Sequence, residues 1–216
     1  ALVDAAGTID AEDADRARAG FERRGAGDFR PEGLREAGIA ARSRSERNLA
    51  ATLTLDGVLA VIETACRTGR WRAEAYDRFL DLRTLFRQDV EAVSKALTLL
   101  LASGLYSEEV YITMIDALGA AGSAAAQEAL LSVMEAGSVP MGLREAAVLA
   151  ATQVEAPTDG FVSGLRRVAR GSEGDPVAAR ALETLGIAAA RMAEAGQEEA
   201  AGAIVEELEL ALQRAT

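Results

Sequence analysis

Residues 105–137 read LYSEEVYITMIDALGAAGSAAAQEALLSVMEAG, and this stretch decides the predicted fold of the chain. It predicts two short amphipathic helices joined by a turn, because apolar residues recur at helical spacing on both sides of the turn. Ser107 and Ser123 precede the two helices, where a Ser hydroxyl can accept from the free N–H groups of a first helical turn. Gly122 and Gly137 follow the helices, where a left-handed residue commonly ends a helix.

The same unit is repeated along the chain from Thr54 onward, where nine helices in succession are predicted. The starts from the fourth helix onward fall near Ser107, Ser123, Pro140, Thr158, Asp175 and Gln197. These starts lie 16, 17, 18, 17 and 22 residues apart, so that most helix pairs span about 35 residues. A period of this size with two helices per unit is typical of an α-solenoid of HEAT-like antiparallel pairs. An ordinary helical bundle would space its helices less evenly.

The helical spacing also predicts which side chains face the core. In the first helix they are Leu55, Val58, Leu59, Ile62 and Cys66, and in the second Trp71, Ala75, Phe79, Leu82 and Phe86. In the third helix they are Val90, Val93, Leu97 and Leu100. In the eighth they are Val177, Leu182, Leu185, Ala189 and Met192, and in the ninth Ala201, Ile204, Val205, Leu208 and Leu212.

Composition agrees with an all-α protein and excludes several classes of partner. Half of the 216 residues are apolar and only 4% are aromatic, which favours close helix-on-helix packing over a β-sandwich. The net charge of −11 argues against a nucleic-acid surface, which needs a clustered basic face, and against anionic membranes. No apolar run approaches the ~20 residues that a membrane span needs.

The first fifty residues differ from the rest in composition. They are rich in Gly, Arg and acidic residues and contain few large apolar side chains, and the change falls near Asn48 to Thr52. Residues 1–50 are therefore predicted to form an irregular or partly helical arm or linker. An alternative is that they are the end of a preceding domain. Residues 51–216 are predicted to form the helical repeat domain.

The sequence contains no recognisable catalytic or metal-binding motif. The chain has no His, which removes the commonest zinc ligand and the His-based triads. Cys66 is the single Cys, so an internal disulfide is excluded and the cellular compartment stays open. Its place on an apolar helix face predicts a buried, inert thiol. Neighbouring acids such as Glu108 and Glu109 point about 100° apart on a helix, which favours solvated faces. We therefore predict no enzyme activity and no catalytic, cofactor-binding or metal-binding residue.

Aromatic and acidic side chains supply the candidate contact residues. Tyr76, Tyr106 and Tyr111 fall off the predicted core stripes and are predicted to contact a partner, since Tyr favours interfaces. The acidic residues near the C-terminus predict a solvated outer face, or alternatively a surface that docks a basic partner. These acids are Glu194, Glu198, Glu199, Glu206, Glu207 and Glu209.

The segment from about Arg72 to Ala193 resembles the helical domain near the N-terminus of the large lipid transfer proteins, the vitellogenin and microsomal triglyceride transfer protein group. Residues 115–130, IDALGAAGSAAAQEAL, are similar to that family's turn between paired helices. Ser123-Ala124 stand where the family has Thr-Pro, which keeps a hydroxyl cap and loses the Pro. Residues 143–157 followed by Thr158 resemble the next pair. The resemblance implies a curved double layer of helices that supports a lipid cavity and contacts neighbouring domains, although the cavity sheets themselves are absent from this chain.

Three functions are compatible with these features. The sequence favours a non-enzymatic protein-interaction or scaffolding module that is part of a larger assembly or a longer chain. The alternative is the helical domain of a lipid-transfer-like carrier, in which an apolar concave face or a companion domain holds ligand. The third is an enzyme of unrecognised type acting through carboxylates, which convergent buried acids with raised pKa would support.

Overall fold

The computed structural model describes residues 53–171 and 174–215, with side chains described as far as Leu210. The predicted arm over residues 1–50 and its boundary lie outside the described residues, as does the side chain of Leu212. Every regular element within these ranges is an α-helix, which confirms the predicted all-α class. None of these helices combines the length and the apolar character that crossing a membrane would require.

The helices of the described ranges follow one another with short connections. In chain order they are α1 (Leu55–Arg67), α2 (Trp71–Gln88), α3 (Val90–Ala102), α4 (Glu108–Ala121), α5 (Ala124–Glu135), α6 (Met141–Ala151), α7 (Asp159–Ala169), α8 (Pro176–Glu194) and α9 (Glu198–Ala215).

Side chains cap most of the predicted helix starts. Thr54, Thr158 and Asp175 accept hydrogen bonds from N–H groups of the first turns of α1, α7 and α8, at 3.1, 3.2 and 2.9 Å. Ser123 caps α5 in the same way, at 3.3 Å. Ser107 occupies the N-cap position of α4, but its hydroxyl makes no capping hydrogen bond. A side-chain cap is typically worth about 1 kcal/mol, so these residues stabilise the helix starts locally.

The two predicted left-handed glycines behave differently. Gly122 ends α4 with φ of 62°, as predicted. The prediction for Gly137 is wrong, because α5 ends through Ala136 in an extended conformation and Gly137 is not among the glycines with positive φ. The Arg144 side chain explains the difference: its Nε donates to the carbonyl of Met134 at 2.7 Å and so satisfies a carbonyl of the last turn of α5.

From α2 to α8, helices that are two apart in chain order pack against each other. Helices α2, α4, α6 and α8 contact in succession, and α3, α5 and α7 do likewise, while consecutive helices other than α6 and α7 also pack against each other. The Glu108 carboxylate lies beside Gly142, at the starts of α4 and α6, and Gly119 lies against Ala150 near their ends. The two helices therefore run parallel. One continuous apolar core lies between the helices of the described ranges.

Four side chains that the helical spacing assigns to the core are exposed instead. Cys66 is exposed because Ala65, the residue before it, takes the buried position at the end of α1. The pKa of the Cys66 thiol is raised, mainly by desolvation and also by the charge of Glu109. Val90 is the first residue of α3 and is 69% exposed. Leu182 on α8 and Val205 on α9 are 36% and 46% exposed, and Leu182 lines the gap between α7 and α9.

Candidate interaction groove

An open groove lies between α7, α8 and α9. Helices α5 and α7 pack side by side, whereas α9 packs on α8 and makes at most slight contact with α7. The space left between α7 and α9 is roughly 630 Å³. This volume falls in the range of ordinary ligand clefts, so the groove is large enough to accept several side chains of another molecule.

Apolar side chains form the base of the groove and part of its walls. Leu185 and Ile204 form the base and are 2% and 1% exposed. Leu182 and Leu210 form the walls and are 36% and 54% exposed. The exposure of Leu182 corrects the sequence prediction: because α7 and α9 diverge, no helix in the described ranges covers this side chain. Large apolar side chains at the mouth of a cleft mark a binding surface, because covering them removes apolar area from water and so favours binding.

An ion-pair bridge crosses one edge of the groove. Glu207 on α9 accepts from Nε of Arg166 on α7 at 2.7 Å and from Nη2 of Arg170, the residue that follows α7, at 3.2 Å. One carboxylate therefore links the two helices across the gap. Because these side chains are partly exposed, each pair is worth no more than about 1 kcal/mol. The bridge therefore joins α7 to α9 at one edge of the groove and leaves the apolar base of the groove open.

The three tyrosines predicted to contact a partner lie in different environments. Tyr76 on α2 is 70% exposed and its ring stacks on Phe79, with the centroids 6.2 Å apart. Tyr106 is half-buried and meets Tyr111 edge to face, with the centroids 6.0 Å apart. Tyr111 is only 3% exposed. The structure thus brings Tyr106 and Tyr111 together, and neither they nor Tyr76 line the groove.

Tyr111 anchors the connection between α3 and α4. Its hydroxyl oxygen accepts from three consecutive main-chain N–H groups, those of Gly104, Leu105 and Tyr106, at 3.0, 2.9 and 3.3 Å. These donors belong to a loop in which Ser103 has a positive φ of 27°. The buried phenol therefore has a structural function, since it satisfies loop N–H groups that no helix satisfies.

Replacing Tyr111 with Phe is expected to lower the free energy of unfolding by about 1–2 kcal/mol, because the loop N–H groups lose their common acceptor. Denaturant unfolding followed by circular dichroism measures the change. Tyr76→Phe is the matched control and is expected to leave stability unchanged, since Tyr76 is largely exposed. Equal effects of the two substitutions would contradict the anchoring function of Tyr111.

Two carboxyl groups of the described residues have raised pKa values. The pKa of Asp116 on α4 is raised by desolvation at a half-buried position. The pKa of Asp81 on α2 is also raised, mainly by desolvation and further by Asp77, against the lowering effect of Arg78, whose Nη1 lies 2.9 Å away. Within the described ranges no three Cys, Asp or Glu side chains converge in a way that could hold a metal ion.

Comparisons with protein-family models, with curated proteins and with solved structures find no match to this chain.

The groove is the feature that sequence reasoning missed. One signal for it was present, since the last interval between helix starts is 22 residues where the others are 16 to 18. Helix α8 accounts for the longer interval, because it has 19 residues where α6 has 11.

Proposed function

We propose that this chain is a non-enzymatic protein-interaction or scaffolding module, and that the groove between α7 and α9 is where it contacts its partner. The observation that carries the proposal is the exposure of Leu182 and Leu210 above a buried apolar base. Interfaces draw most of their energy from a few apolar anchors that enter such pockets and are shielded from water. The module would serve as one part of a larger assembly or of a longer chain.

The internal contacts support a short HEAT-like α-solenoid as the framework of this module. Several polar contacts between helices of successive predicted pairs join residues 31 to 37 positions apart. They include Gln127 to Thr158, Thr184 to the carbonyl of Val148, and Ser123 to the carbonyl of Phe86. These separations bracket the predicted period of about 35 residues. Stacked units of this kind present extended surfaces, which suits them to hold partners together.

A paired set of surface variants tests the proposal. Leu182→Ser with Leu210→Ser removes the apolar walls of the groove, and Leu149→Ser with Val90→Ser removes two exposed apolar side chains elsewhere. Val90, Leu149 and Leu210 are more than half exposed, so each of these changes is expected to alter stability by less than about 0.5 kcal/mol. Leu182 is 36% exposed, and its replacement is expected to cost about 1 kcal/mol through lost apolar burial. Thermal unfolding of both double variants checks that they fold like the wild type.

Tagged wild-type protein and both double variants are then used to capture partners from an extract of the source organism. We expect the same partner, in a fixed ratio to the bait, with the wild type and the Leu149/Val90 variant. The Leu182/Leu210 variant should lose at least 90% of it. The groove would not be the partner-binding site if the Leu182/Leu210 variant retained that partner, or if no bait captured a partner in a fixed ratio.

A lipid-transfer-like carrier is the second candidate function. The apolar lining of the groove favours it, as does the resemblance of residues 72–193 to the helical domain of lipid transfer proteins. Organic extraction of the purified protein followed by mass spectrometry separates the two candidates. A carrier should release a lipid in a fixed ratio to protein, and the Leu182/Leu210 variant should release less. An interaction module should release none.

A further inference from the structure

We propose that the groove accepts an amphipathic helix whose apolar stripe is edged with Lys or Arg side chains. This inference rests on the proposed function, which supplies the site, and it adds the chemistry of the occupant. It follows from the shape of the gap and from the charges on the α9 side of the groove.

The shape of the groove suits a helix. The gap lies beside α7 at the place where α5 packs on the other side of the same helix, so an added helix would continue the packing of the array. Helix α9 lines the groove from Ala203 to Leu210, a rise of about 10 Å or two helical turns. Helices that dock in apolar grooves place anchors at positions i, i+3 or i+4, and i+7, which span the same length.

The α9 side of the groove is acidic. Glu199, Ala203, Glu206 and Leu210 share one stripe of α9 by their spacing, and Ala203, Glu206 and Leu210 line the groove. Glu199 and Glu206 are exposed, and no cation of the described residues forms an ion pair with either. Glu198 and Glu209 add two further acids on the neighbouring stripe.

The opposite edge offsets these charges only in part. Arg166 on α7 and Arg170 just after it share the one carboxylate of Glu207, which leaves a single net positive charge on the α7 edge and the α9 edge negative. Basic side chains on the α9-facing edge of an incoming helix would pair with Glu199 and Glu206. A second copy of α9 would instead bring further acids to this edge, and the chain as a whole carries a net charge of −11. Like charges therefore disfavour self-association at this groove.

Selection from a displayed library of 16-residue helical peptides tests the inference, because it compares many helix chemistries at the groove directly. The library varies apolar positions at i, i+3 or i+4, and i+7, and offers Lys, Glu and Gln equally at the flanking positions. Wild-type protein is the bait, and the Leu182→Ser, Leu210→Ser variant is used for counter-selection. We expect enriched peptides to carry an excess of Lys on one edge of the apolar stripe.

Fluorescence anisotropy of the enriched peptides then measures the effect of charge. Glu199→Gln with Glu206→Gln is expected to weaken binding about tenfold at low salt, as two lost ion pairs imply. Glu128→Gln with Glu155→Gln removes two exposed acids from α5 and the α6–α7 connection, and is expected to leave affinity within about twofold. Added salt should weaken binding to the wild type more than binding to the Glu199/Glu206 variant.

The outcomes separate this inference from the proposed function. The proposal of a basic helix would be overturned if the enriched peptides were neutral or acidic at the flanking positions. It would also be overturned if their affinity were the same for the wild type and the Glu199/Glu206 variant. In that case the groove would still stand as a binding site if the Leu182/Leu210 variant lost the peptides. Enriched peptides that bind the Leu182/Leu210 variant as well as the wild type would overturn both. An absence of any enriched helix would also overturn the inference.

Discussion

Replacing Gly119 with Ala is expected to lower the free energy of unfolding by about 3 kcal/mol, at the upper end of the range for overpacking. A Cβ atom at Gly119 would lie 2.3 Å from the carbonyl oxygen of Ala150 and 2.8 Å from its carbonyl carbon. The main-chain atoms of α6 cannot relieve this clash by a change of rotamer, as a side chain could. The two helices would have to separate and lose part of the buried contact between α4 and α6.

Two other glycines provide matched controls for this substitution. A Cβ atom at Gly164 on α7 would also meet a close neighbour, the Cδ1 atom of Leu131 at 2.3 Å, but that atom ends a flexible side chain, so Gly164→Ala is expected to destabilise by about 1 kcal/mol. Gly202 on α9 has open space around it, and Gly202→Ala should stabilise by about 0.5–1 kcal/mol through helix propensity. Denaturant unfolding gives all three values. If Gly119→Ala cost no more than Gly164→Ala, the close approach of α4 to α6 would be wrong.

Replacing Gln127 with Leu is expected to destabilise the protein by about 3 kcal/mol, because its buried amide makes four hydrogen bonds. The side chain is 2% exposed. Its Nε2 donates to the carbonyls of Gly122 and Ala156 at 2.9 and 3.0 Å. Its Oε1 accepts from the main-chain N–H and the hydroxyl of Thr158, both at 2.9 Å. Leu cannot replace any of these, so it would leave part-buried polar groups unsatisfied at the α4–α5 and α6–α7 connections.

Gln153→Leu is the control for Gln127→Leu. Gln153 lies in the same α6–α7 connection but is exposed, so its replacement is expected to change the free energy of unfolding by less than about 0.5 kcal/mol. Hydrogen exchange gives a second measurement. In the Gln127→Leu variant, the N–H of Thr158 should exchange faster, while the amide groups in the middle of α4 should remain protected from exchange. Unchanged protection of Thr158 would contradict the bridging function assigned to Gln127.

Local chemistry explains why the helix limits were predictable from the sequence. Thr54, Thr158 and Asp175 act on the first turn of the helix that follows each of them, so no tertiary information is needed to identify them. Gly137 shows the limit of such reasoning. The end of α5 depends on Arg144, which follows in the next helix and supplies a donor from its side chain. Periodicity likewise assigned Cys66 to the core, although the buried position belongs to Ala65.

The groove depends on how α7, α8 and α9 pack in three dimensions, which capping and periodicity do not determine. Asp175-Pro176 identified the start of α8, and Gly196, with φ of 82°, confirms its predicted end. Neither signal indicates that α9 would pack on α8 and make at most slight contact with α7. Leu182 was accordingly predicted to be buried, as it would be if α9 packed on α7 as closely as α7 packs on α5. Its exposure is a consequence of packing between three helices.

Gln127 was equally hard to interpret from the sequence. A Gln on a helix is ordinarily a solvent-exposed residue, and no nearby residue marks this one as buried. Its partners are the carbonyls of Gly122 and Ala156 and the backbone and hydroxyl of Thr158, the last of which lies 31 residues away. Only the stacking of one helical connection beside the next brings these groups together. Polar contacts of this kind therefore become visible only in the folded chain.

Native mass spectrometry of the protein isolated from its own source tests the proposed interaction function most directly. An interaction module is expected to appear as a complex whose mass exceeds that of the 216-residue chain by the mass of a protein partner, and the complex should be lost in the Leu182→Ser, Leu210→Ser variant. A mass offset of several hundred daltons, released as lipid on denaturation, would contradict this function and favour the carrier. A bare monomer at every concentration would contradict both functions.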